Sequence, residues 1–75
     1  MEINETLDLK GLSCPMPMMK TAKAVKKMDS GNVIKVLTTD PGSKADIPKW
    51  VEKNGHTLVE ETEEDSAIVF IIQKK

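Results

Sequence analysis

Residues 67–73, AIVFIIQ, make up the longest unbroken apolar run in the chain. A strand of this kind carries apolar side chains on both faces, so it fits only inside a sheet, with neighbours on both edges. The chain has 75 residues, and at that size about 60% of the unfolded surface is buried on folding. That is room for one small core and no second domain, so residues 1–75 read as a single domain. Everything else in the sequence has to supply the neighbours and the cover that residues 67–73 need.

The cover comes from two helical patterns. From Pro15 to Met28 apolar residues recur at three- and four-residue spacing (Met18, Met19, Ala22, Val25, Met28), while Lys20, Lys23, Lys26 and Lys27 fall mostly on the other side. DSGN, residues 29–32, stops this helix, with Gly31 for the left-handed position that helix ends favour. A second helix is expected to be capped by Asp46, to tolerate Pro48 near its start and to run to Asn54 before Gly55.

The neighbours come from three further strands. Ile3–Leu9 is short and mixed. VIKVLTT, residues 33–39, is β-branched and closed by the turn DPGS. HTLVEETEE, residues 56–64, alternates loosely and ends in the hairpin turn EEDS. The order strand-helix-strand-helix-strand-strand, with right-handed crossovers, places both helices on one face of a four-stranded mixed sheet. The expected fold is a β-α-β-α-β-β two-layer α/β (α+β) sandwich. The acidic strand belongs at an edge, where its charges oppose edge-to-edge pairing, and the chain is expected to be a monomer.

Composition narrows the function. Eleven lysines face twelve acids for a formal net charge of −1, and Trp50 and Phe70 are the only aromatics. Bulk charge therefore gives no reason to expect nucleic acid or a membrane surface as a partner. No apolar run approaches the roughly 20 residues that span a bilayer, and the first residues lack a basic and then apolar leader, so a cytoplasmic protein is expected. One cysteine makes no internal disulfide, and one histidine leaves no zinc ligand set, so neither metal nor cofactor is expected.

That cysteine stands in GLSCPMPMMK, residues 11–20. Pro15 suits the first position of a helix, which makes Cys14 its cap, and Pro17 stiffens the same corner. The helix start carries roughly half a positive charge and Lys10 adds to it, so the thiol pKa is expected to fall below about 8.5. The plainer reading, a small buried hydrophobe, is opposed by a position at a helix cap between two prolines. Met16 is a candidate for exposure beside the sulfur, whereas Met18 and Met19 read as core, as does Trp50. His56 reads as a helix-end residue more than as a general base, and Asp40 and Asp46 as turn and cap.

LDLKGLSCPMP, followed by a lysine-bearing helix, then DPGSKADIPKW and NGH, resembles the TusA/SirA family of small sulfur-carrier proteins and its C-P-x-P signature. The resemblance covers nearly the whole chain and implies the same sandwich. It also implies that Cys14 receives sulfane sulfur as a persulfide and relays it, for instance toward transfer-RNA thiolation, acting as a sulfurtransferase in a relay more than as a multi-turnover enzyme. Lys10, Gly11, Pro15 and Pro17 then shape the loop. Many members carry arginine where Lys10 stands, which keeps the charge and loses the planar fork. The implied partners are a sulfur-donor protein (a cysteine desulfurase or a rhodanese-like protein) and an acceptor relay protein, with Met16, Lys20, Lys23 and Lys27 as a docking face. The alternative is a protein- or RNA-binding regulatory module of the same fold in which Cys14 is incidental.

Overall fold

The computed structural model describes residues 2–75. Six elements follow in the expected order: β1 (Glu5–Leu9), α1 (Met16–Lys26), β2 (Val33–Thr38), α2 (Ser43–Lys53), β3 (Thr57–Glu64) and β4 (Ala67–Gln73). The strands form one sheet in the order β1-β2-β4-β3, with β1 parallel to β2 and β4 antiparallel to both its neighbours. The two helices pack against each other on one face, which is the two-layer mixed-sheet sandwich the sequence predicts.

β4 is interior, as its composition requires. Ile68, Phe70 and Ile72 join Ile34 and Val36 of β2, Leu9 of β1, Val25 of α1 and Ile47 and Val51 of α2 in one core. Ala67 and Val69, which alternate to the opposite face, are buried as well. β3 is the acidic edge strand, and an irregularity in its pairing between Leu58 and Glu60 gives Val59 no direct partner on β4. This extra residue explains why its sequence alternates only loosely.

Three element boundaries differ from expectation by two residues or more. β1 begins at Glu5, not Ile3: before it, Asn4 holds Val33 by its amide to Val33 O (2.8 Å) and by its side-chain oxygen, which accepts from Val33 N (2.8 Å), and Ile3 is 42% exposed. α1 ends at Lys26, two residues early, where Lys27 and Met28 close it with tighter bonds to Ala24 O and Val25 O. α2 begins at Ser43 and not at Asp46, because the DPGS turn is itself the first turn of the helix. Ser43 N donates to Asp40 O (3.1 Å), Lys44 N to Pro41 O (3.2 Å) and Ala45 N to Gly42 O (3.2 Å), while Asp40 Oδ1 accepts from Gly42 N (3.4 Å). Asp46 therefore does not cap α2: backbone carbonyls take the first-turn amides, no side chain among the described residues caps the helix, and Pro48 lies inside it.

This topology positions one edge of the molecule. β1 and β2 are adjacent and parallel, so both hand the chain to a helix at the same end of the sheet. The loop at 10–15 and the loop at 39–42 are therefore neighbours, and both helices start beside them, at the carboxyl ends of the strands where ligands of α/β sheets gather.

Candidate functional site

The corner around the lone cysteine is built from its anchors. Gly11 turns the chain out of β1 with φ +88°, a backbone region that strains any residue with a Cβ. Its amide donates to Thr39 Oγ1 at 2.9 Å and so ties the two loops together. Leu12 packs against the core, and Pro17, in the first turn of α1, is fully buried. With Leu12 and Pro17 facing inward, the residues between them face out, and Cys14 is a free, exposed thiol.

Its relation to the helix differs from expectation by one residue. Pro15 occupies the cap (φ −96°, ψ 9°), Met16 is the first helical residue, and Cys14 lies just outside, joined to Pro15 by a cis peptide bond. Burial of Pro17, Thr21 and Val25 at four-residue spacing sets the phase of α1, with Pro17 second in the helix and Pro15 at its cap. No side chain caps the helix. The same phase turns Met19 outward: it is 53% exposed, more than Met16 at 38%, and is not the core residue its spacing predicts. Met18 is partly buried, and Lys20, Lys23 and Lys27 are exposed along α1.

The electrostatics of the sulfur are the opposite of those expected from the helix start. The Cys14 thiol is pushed up from its ordinary value, first by partial desolvation, then by the charges of Asp46 and Asp40, and then by a hydrogen bond. In that bond Sγ donates to Asp46 Oδ2 at 3.7 Å. The carboxylates disfavour a thiolate, and the positive helix end does not override them because Cys14 stands outside the helix. Lys10 does not counter them: its amide donates to Asp8 Oδ1 (3.1 Å), and its ammonium lies 3.9 Å from Asp8 Oδ2.

Asp46 is the neighbour of the sulfur that residue types taken one by one do not disclose. The signal was in the topology, since a β-α-β-α order with a parallel first pair sets the first turn of α2 beside the first turn of α1. His56 is at the other end of the eleven-residue α2, about 16 Å along its axis. There Nδ1 accepts from Lys75 N (3.1 Å) and the ring lies 5.3 Å from that of the half-buried Trp50, at the margin of the core. Among the described residues, no three His, Cys, Asp or Glu side chains gather as a metal site, and no helix is long and apolar enough to cross a membrane.

Comparison with known proteins bears on the same corner. The family described as "Sulfurtransferase TusA" matches residues 5–74. The sulfur carrier protein TusA of Pseudomonas entomophila is 43% identical over 70 residues, 93% of this chain and 88% of the relative. That of Allochromatium vinosum is 37% identical over 73 residues, 97% of this chain and 96% of the relative. Among solved structures, a SirA-like protein from Desulfitobacterium hafniense superposes with a TM-score of 0.76 at 27% identity, covering 92% of this chain and 93% of that one.

Proposed function

This chain belongs to the TusA sulfurtransferase family, whose members include sulfur carrier proteins, and from that membership we propose that it carries sulfur as a persulfide on Cys14. The observation behind the choice of atom is that the sole cysteine is exposed on a pegged corner at the start of α1. In the forward step Sγ bonds to the outer sulfur of a donor persulfide, the donor's S–S bond breaks, and the donor leaves as a thiolate. In the return step an acceptor thiolate takes the outer sulfur and Cys14 leaves. Sulfane sulfur passes from one thiol to another with no net oxidation, so neither metal nor redox cofactor is required. A second cysteine in the chain would attack the persulfide and discharge it as a disulfide, which makes a lone cysteine suited to the task.

In this reading Gly11, Pro15 and Pro17 fix the loop, and Lys10, paired with Asp8, stands at its entry. Met16, Lys20, Lys23 and Lys27 form the face that meets partner proteins, a cysteine desulfurase or rhodanese-like donor and an acceptor of the relay, in the cytoplasm. The exposed lysine face supports contact with acidic partner surfaces. The test is mass spectrometry after incubation with a cysteine desulfurase and cysteine, or with a rhodanese and thiosulfate. Cys14 should gain about 32 Da, one sulfur atom. No gain from either donor, with the thiol shown free, would refute the reading.

A further inference from the structure

We propose that Asp46 is a specificity-determining residue for Cys14: by accepting the thiol hydrogen bond, its carboxylate keeps the free carrier protonated, so that the sulfur reacts with persulfide donors in preference to other electrophiles. The inference rests on Cys14 being the sulfur-carrying atom, as proposed above.

The geometry is specific. Asp46 Oδ2 is 3.7 Å from Sγ, on a half-buried side chain of α2. Asp40, the second carboxylate acting on the sulfur, is held by Gly42 N and Ser43 Oγ at 3.4 Å each. The other groups around the corner do not offset them. Lys10 of the same loop is engaged by Asp8, Lys44 of α2 pairs with Glu63, and the first turn of α1 contributes Met16, Pro17, Met18 and Met19 without a charge. The exposed thiol therefore meets negative charge from α2 and from the loop before it.

Proton balance shows what such a device accomplishes. Persulfides are stronger acids than thiols, so a donor persulfide presents itself largely as R–S–S⁻, an anion that resists attack. A protonated Cys14 supplies what is lacking: as Sγ attacks the donor's outer sulfur, its proton passes by way of the Asp46 carboxylate to that same sulfur, so no free thiolate builds up beside Asp46. The Sγ–S bond forms, the R–S bond to that sulfur breaks, and R–S⁻ leaves. The sum is Cys14–SH + R–S–S⁻ → Cys14–S–SH + R–S⁻, with atoms, charge and oxidation level conserved. An alkylating agent or a peroxide offers no anion to receive the proton and reacts with the thiolate alone, so it is disfavoured by the same carboxylate.

The experiment compares wild type with Asp46→Asn, which keeps the shape without the charge, and Asp46→Glu, which keeps the charge. Iodoacetamide alkylation of Cys14 is followed against pH, and sulfur uptake from glutathione persulfide is followed at about pH 7. In Asp46→Asn, alkylation near pH 7 should be about three- to tenfold faster, and the rates should converge with wild type in alkali, where both are thiolate. Uptake from the persulfide should not accelerate by the same factor, and Asp46→Glu should stay close to wild type. An unchanged alkylation profile would overturn the inference. So would a gain that persists equally at every pH, because the carboxylate would then act as a steric cover, and so would equal acceleration of both reactions. Alkylation needs no donor protein, so a normal Asp46 effect without loading from desulfurase or rhodanese would count against the carrier reading alone.

Discussion

Where β4 leaves the sheet, the residues that follow it are bonded to three other segments. Lys74 N donates to Asn32 O (2.9 Å), and Gly31 N to Lys74 O (2.8 Å). Lys74 Nζ reaches Lys26 O (3.2 Å) and Met28 O (2.7 Å) past the end of α1, Ser30 Oγ donates to Lys75 O (2.7 Å), and Lys75 N reaches His56. At the opposite end, where β1 and β2 hand the chain to the helices, Gly11 of the first loop bonds to Thr39 of the second, and Cys14 of the first loop bonds to Asp46 of α2. One end is laced, and the other is pegged by Leu12 and Pro17, with Thr38 and Ser43 buried beneath it and Cys14 exposed above. The difference teaches that the interactions that hold the fold and the corner proposed for sulfur chemistry lie at separate ends of one small core, so each can be damaged without the other.

That separation is open to attack from both sides. Cys14→Ser should have the largest effect, complete loss of the sulfur adduct, while the melting midpoint stays where it is, because the exposed thiol packs against nothing in the core. A variant that also melted early would join the two ends. Lys74→Ala is the converse. It leaves the last carbonyls of α1 without their distant ammonium, and the urea midpoint should report a loss of about 1–2 kcal/mol, with sulfur uptake by Cys14 unchanged.

The sequence discloses the two ends unequally. The interior position of β4, the acidic edge strand and the element order follow from periodicity, because a seven-residue strand inside so small a core has few alternatives. The exposure of Cys14 follows from its flanking prolines. Its charge environment does not, since it is set by Asp46, 32 residues away, and by Asp40, whose side chain reads locally as turn chemistry. Lys74 likewise reads as one charge near the end of a strand, and its work on α1 becomes visible only when the register of β2 and β4 brings the two segments together.

A third change lies between the ends and serves as a check on both. Thr21, on the inward stripe of α1, is fully buried, and its hydroxyl has no hydrogen-bond partner among the described residues. Thr21→Val removes that orphan with little change of shape, so the urea midpoint should rise by about 1 kcal/mol. Neither sulfur uptake nor the Lys74 effect should move. A loss of stability would mean that the hydroxyl finds a partner in solution.

The smallest effect tests whether the laced end responds to pH by itself. His56 titrates below its ordinary value because burial, and then the charges of Lys74 and Lys75, disfavour its imidazolium. In the unfolded chain the ring titrates near 6.5, so below that pH the unfolded state binds more protons than the folded one. The stabilisation is therefore complete above about pH 6.5 and is lost as the pH falls through the lower folded value. The protonated Nδ1 can no longer accept from Lys75 N. Urea midpoints at about pH 7.5 and about pH 5 should show a loss in wild type that shrinks in His56→Gln, by no more than about 1 kcal/mol, the net worth of one hydrogen bond. The same substitution should leave the alkylation profile of Cys14 untouched, since the length of α2 separates the two residues. Equal losses in both proteins would assign the pH response to other groups, and a shifted Cys14 profile would mean that α2 transmits between the ends.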